Sequence, residues 1–139
     1  MTRYDLFRYR NDKIYLMNKS RDIEAEREKL YHTTPSYEEK FGKGEMKDRL
    51  ADGVINFIEK QDYYSEEMRE LAKKLKEIEY KVEHMKTTIH RNILYLKYIS
   101  PEPWTIRRIW EEDKLGKHYS DEKYVSNIHR NALDEFDKE

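Results

Sequence analysis

Apolar side chains recur at helical spacing almost from the first residue of this chain. Tyr9, Leu16, Ile23 and Leu30 stand seven apart, with Leu6 and Met17 beside the same stripe. Neither Gly nor Pro interrupts residues 5–31. The pattern predicts an amphipathic helix about 40 Å long at ~1.5 Å rise per residue. The periodicity then stops in HTTPSYEEKFGKG, where Pro35, Gly42 and Gly44 predict a connecting loop over residues 32–45.

A second, stronger stripe follows. Val54, Phe57, Gln61, Tyr64, Met68, Leu71, Leu75, Ile78, Val82, Met85 and Ile89 alternate steps of three and four, and only Gln61 among them is polar. This heptad series predicts one coiled-coil-like helix from about Met46 to Met85, some 60 Å long. Two long helices joined by a loop predict an antiparallel hairpin over residues 1–86. The stripe fills the protein's own core against the first helix or joins two subunits. In the second case Met68, Leu71, Leu75, Ile78, Val82 and Met85 are the oligomerisation residues.

Beyond Lys86 the pattern shortens. Thr87 and Thr88 offer an N-cap or a break. Ile89, Ile93 and Leu96 predict a helix ending near Ile99. SPEP at 100–103 predicts a turn with a proline at a helix start. Trp104, Ile106, Ile109 and Trp110 predict a second short helix, and Gly116 falls in the stop after it. Ser120 predicts the cap of a third helix reaching about Phe136. The fold class expected is all-α, with long hairpin or coiled-coil-like helices (1–86) followed by a three-helix, helix-turn-helix domain (87–139).

The last helix can be tested by angle. At ~100° per residue, Ile128, His129, Ala132 and Phe136 fall within about 60° of Val125 and form one buried face. Lys123, Asn127, Arg130 and Asn131 project to the far side, with Tyr124 and Ser126 on the flanks. Asn and Arg can make paired hydrogen bonds to adenine and guanine edges. Lys neutralises phosphate. Arg107, Arg108 and Lys117 extend this into a weak basic patch.

Thr34–Tyr37 (TPSY), the long charged helix, Ile93–Ile99 (ILYLKYI), Trp104, Ile109 and Val125–Leu133 (VSNIHRNAL) together resemble the ArpU/RinA-type phage transcriptional regulators. Members of that family end in a helix-turn-helix similar to the fourth region of primary sigma factors. The resemblance covers the chain from about residue 30 onward, as spaced positions rather than one sharp signature. It implies a phage- or prophage-encoded protein of the bacterial cytoplasm. Such a protein would bind promoter DNA and regulate late genes, with host RNA polymerase as a partner. It also implies that the helix around Val125–Leu133 is the recognition helix. One departure stands out. WEEDKLGKHYSDEKYV (Trp110–Val125) is longer than the family's usual turn, so either the second helix is extended or an extra loop is present.

Composition limits the alternatives. The 139 residues carry 28 Lys+Arg against 29 Asp+Glu, so total charge names no partner. Residues 87–133 hold eight Lys/Arg and six Asp/Glu, whereas the tail from Asp134 holds one Lys and four acids. That near-neutrality argues for modest DNA affinity per subunit, reinforced by a homodimer or by polymerase. There is no Cys, which excludes disulfides and thiolate metal sites. No apolar run approaches the ~20 residues of a membrane span, and the charged N-terminus carries no signal-peptide core. A soluble intracellular protein is expected.

His129 is expected to be a core or boundary histidine, and Trp104 and Trp110 packing residues. His32, His84, His90 and His118 show no ligand spacing, so neither metal nor cofactor is expected. Gly42–Gly44 (GKG) is too short for a phosphate loop, and no G-x-S-x-G occurs, so no enzyme is expected. The alternative function is a coiled-coil protein-interaction module, such as a polymerase-binding or small-terminase-like packaging adaptor.

Overall fold

The computed structural model describes residues 1–31, 53–59 and 64–138. The expected loop at 32–45, the Thr34–Tyr37 motif, the Leu30 side chain and Gln61 lie outside the described residues. Among the described residues all regular structure is helical. The elements are α1 (Arg3–Tyr31), a helical stretch at 53–59, α2 (Glu66–Glu83), α3 (Thr88–Leu94) running into a π-helical turn (Tyr95–Ile99), α4 (Ile106–Glu111) and α5 (Glu122–Lys138). The chain divides into two compact units. Residues 1–10 and 76–139 form the first, and residues 11–75 the second.

The helix α1 starts with the acidic half of a capping box. The Thr2 carbonyl accepts from the Asp5 N–H at 3.0 Å, and the Asp5 carboxylate accepts from the Thr2 N–H at 2.9 Å. Its inward stripe is the expected one, with Leu6, Tyr9 and Leu16 all but fully buried. Ile23 is only half-buried. The stripe also contains a polar member, Ser20, whose hydroxyl lies 3.1 Å from that of Tyr64 in the second unit.

The long second helix is not continuous. Tyr64 and Ser65 are non-helical, and α2 begins afresh at Glu66. Ser65 is the reason. Its hydroxyl accepts from the Met68 N–H at 3.2 Å, and Glu66 and Glu67 follow in the first turn, where the helix dipole favours acids. With 18 residues, α2 is about 27 Å long rather than 60 Å.

In the first unit, Tyr9 on α1 hydrogen-bonds Glu79 on α2, and Lys81 donates to the Met1 carbonyl at 3.2 Å. The Lys81 ammonium also sits 4.2 Å from the Phe136 ring centre. Phe136, Val125, Ala132 and Leu133 on α5 are buried, as are Ile93 and Leu94 on α3 and Ile109 on α4. Each large member of this set contributes roughly 1.5–3 kcal/mol by burial. Arg3 closes the unit. Its guanidinium pairs with Asp137 at 2.5 Å and Asp134 at 2.8 Å, and its backbone N–H donates to Asp137 at 2.7 Å.

Candidate nucleic-acid interface

The three C-terminal helices are positioned by local chemistry. Thr87 stands before α3 with extended backbone, but its hydroxyl donates to Glu135 on α5 at 2.6 Å rather than capping the helix. At the far end the helix widens into the π turn, closed by the Ser100 N–H donating to the Tyr95 carbonyl at 2.7 Å. Pro103 is not the first helical residue of α4. Thr105 is the cap, accepting from the Arg108 N–H at 3.1 Å.

The long connection before α5 is a loop, not an extended helix. α4 ends after Glu111 because Asp113 adopts φ +51°. The Lys114 N–H then reaches the Ile109 carbonyl at 3.1 Å, and the Asp113 N–H reaches that of Trp110 at 3.3 Å, the two bonds of a Schellman stop. Gly116 supplies a second left-handed residue at φ +81°. The loop is held by Trp110 Nε1 donating to the Tyr119 carbonyl at 2.6 Å and Asn92 donating to that of Lys114 at 3.0 Å. Residues 112–121 thus separate α4 from α5. The cap of α5 is Asp121 rather than Ser120. Its carboxylate accepts from the Lys123 N–H at 3.1 Å.

On α5 the buried face is Val125, Ala132, Leu133 and Phe136, with Ile128 and His129 half-buried at its margins. Lys123, Tyr124, Arg130 and Asn131 are exposed, and Ser126 and Asn127 are half-buried. Arg130 donates to the Asn127 amide oxygen at 3.2 Å, so these two form one polar unit. Tyr124 stacks with Tyr119 from the loop at 6.4 Å between ring centres.

The other basic residues behave differently. Arg107 pairs with Glu111 at 3.1 Å. Arg108 pairs with Glu112 at 2.8 Å and Glu102 at 2.9 Å, and lies 3.9 Å from the Trp104 ring centre. Hydrogen bonds donated to Glu102 and then to Glu112 push the Arg108 guanidinium further up its already high range. Lys117 is exposed, with its ammonium 5.8 Å from the Tyr119 ring. The acidic tail is partly neutralised. Burial alone would raise the Asp137 carboxyl, but the Arg3 hydrogen bonds and charge outweigh it and hold it below the usual carboxylate range.

The heptad residues are covered within one chain. Leu75, Ile78, Val82 and Met85 are each no more than 2% exposed and Met68 is 8% exposed, while Leu71 is half-buried. Met68 and Leu71 also line a groove of about 510 Å³ in the second unit, with Tyr15, Lys19, Ile23 and Ser65. Among the described residues no cluster of His, Asp or Glu is arranged to hold a metal ion, and no helix is long and apolar enough to cross a membrane.

His129 lies at the edge of the core, as its helical angle predicts, but its partner leaves no mark in the local sequence. Tyr98, on the π turn, brings its hydroxyl within 2.7 Å of His129 Nε2. Burial, then Lys97 and Arg3, push the imidazole down to about 4, and burial pushes the Tyr98 phenol up to about 12. Both groups are therefore neutral near pH 7. Two neutral groups share one hydrogen bond, the phenol and Nε2 each being able to serve as donor or acceptor according to the imidazole tautomer.

No family model, curated protein or solved structure matches this chain.

Proposed function

We propose that this protein is a transcriptional regulator of the phage type, a late-gene activator that reads promoter DNA with α5 and acts with host RNA polymerase in a bacterial cytoplasm. The observation that carries the reading is the division of α5 into two faces. One is apolar and buried, and the other offers Lys123, Tyr124, Asn127, Arg130 and Asn131, residue types that reach base edges and phosphates. The resemblance to the ArpU/RinA-type regulators supports the same assignment. The pairing of Asp134 and Asp137 with Arg3 removes part of the tail's repulsion toward phosphate. A homodimer on two half-sites suits the reading. Its contact surface would lie outside Leu75, Ile78, Val82 and Met85, which are buried in one copy.

The test is duplex binding by fluorescence anisotropy. Replacing Lys123, Asn127 and Arg130 with Ala is expected to abolish sequence-specific binding while circular dichroism shows unchanged helix content. Unchanged binding overturns the assignment of α5.

One observation favours the interaction-module reading. Arg107 and Arg108, two of the expected phosphate contacts, are already paired with carboxylates. That reading predicts no duplex affinity even at about 50 mM salt, where phosphate contacts are strongest.

A further inference from the structure

Several cations of the first unit have partners within it. Arg3, Arg107 and Arg108 each hold a carboxylate, and Lys81 holds the Met1 carbonyl and the Phe136 ring. Two cations at the π turn differ. Lys97 is half-buried, and among the described residues its ammonium has no carboxylate and no hydrogen-bond acceptor. The ammonium lies 5.8 Å from the Tyr98 ring centre. Arg10 on α1 is also half-buried, and among the described residues it has no carboxylate. It donates Nη1 to the Lys97 carbonyl at 3.1 Å and Nη2 to the Ser100 carbonyl at 2.8 Å. Those bonds fix the guanidinium at the end of the turn and leave three of its five N–H donors unspent.

Cations drawn partly out of water cost free energy unless something compensates them. The carbonyls at the helix end offset part of Arg10, and among the described residues no carboxylate offsets Lys97. The cost is visible in both groups. Burial lowers each below its ordinary range, and Arg10 lowers Lys97 further.

We infer that Lys97 and Arg10, held together at the Tyr95–Ile99 turn, form an oxyanion site that takes a phosphate group. A phosphodiester of the duplex backbone is its source, and only that source rests on the DNA-reading proposal. Such a contact fixes register and orientation without reading sequence. His129 reports on the site, because Lys97 is one of the charges that keep its ring neutral.

The experiment has two arms. In the first, inorganic phosphate is titrated against chloride at matched ionic strength while the His129 ring protons are followed by NMR. A saturable shift is expected, with a rise in the apparent pKa of His129 of about half a unit or more as the Lys97 charge is compensated. Lys97→Met is expected to abolish both effects and Lys97→Arg to restore the binding. No saturable shift in the natural protein, or the same shift in the folded Lys97→Met variant, overturns the site.

In the second arm, duplex affinity is measured against salt. Lys97→Met is expected to reduce the log–log slope by about one while leaving the preferred sequence unchanged. An unchanged slope, with phosphate binding intact in the natural protein, overturns the backbone as the source and assigns the site to a free phosphate. Absence of duplex binding by the natural protein overturns the regulator reading and the backbone source together, and the first arm still decides the site.

Discussion

The Tyr98 hydroxyl and His129 Nε2, 31 residues apart in sequence, are joined at 2.7 Å and bind the π turn to α5. The histidine is held at about 4 against an ordinary value of 6.5, so the unfolded chain takes up its proton at higher pH than the folded one. Stability therefore falls as pH drops from about 6.5 to about 4, by roughly 2 kcal/mol after discounting for the solvent that still reaches the ring. Denaturant unfolding of the natural protein and of His129→Gln across that window checks this. The variant is expected to lose less stability on acidification, and a parallel loss in both would contradict the assignment.

Arg3 and Asp137 tie the start of α1 to the end of α5. Arg3→Met is expected to speed amide exchange in residues 3–6 and in the last turn of α5, with the other helices unchanged. Raising salt should loosen the same residues in the natural protein and have little effect on the variant, because the pair is near the surface and screened.

Ser65 restarts the second helix. Ser65→Ala is expected to cost about 1 kcal/mol by thermal or denaturant unfolding, and Ser65→Asp to restore most of it. Equal stability of all three would mean that the cap contributes nothing.

Asp113 ends α4 in a left-handed conformation that an L-residue other than Gly adopts at a cost. Its pair with His118, at 2.7 Å, is exposed and adds little. Asp113→Gly is therefore expected to stabilise the protein by about 0.5–1 kcal/mol. Destabilisation would mean that the carboxylate, not the backbone, holds the loop.

Much of the helical plan was legible from spacing. Leu6, Tyr9 and Leu16 mark the buried face of α1, and Val125, Ala132 and Phe136 that of α5, because burial on one side of a helix repeats every three to four residues. The break before α2 was hidden for the same reason. The stripe runs through Gln61, Tyr64 and Met68 in phase, and a helix that restarts in phase leaves the periodicity intact. The cue was chemical, a Ser followed by two Glu. The pairing of Arg107 and Arg108 with Glu111 and Glu112 was also readable as i,i+4 spacing. The Arg3 pair with Asp137 and the placing of Arg10 beside Lys97 were not, because partners on distant segments leave no local pattern.

The reading of α5 as a DNA-recognition helix is tested most directly by selection from random-sequence duplexes. The natural protein and the Lys123/Asn127/Arg130 triple-Ala variant would be compared at about 50 and 150 mM salt, where phosphate contacts differ most in strength. An enriched motif is expected with the natural protein, weaker at the higher salt and lost in the variant. No enrichment with either protein, or the same motif with both, would contradict it.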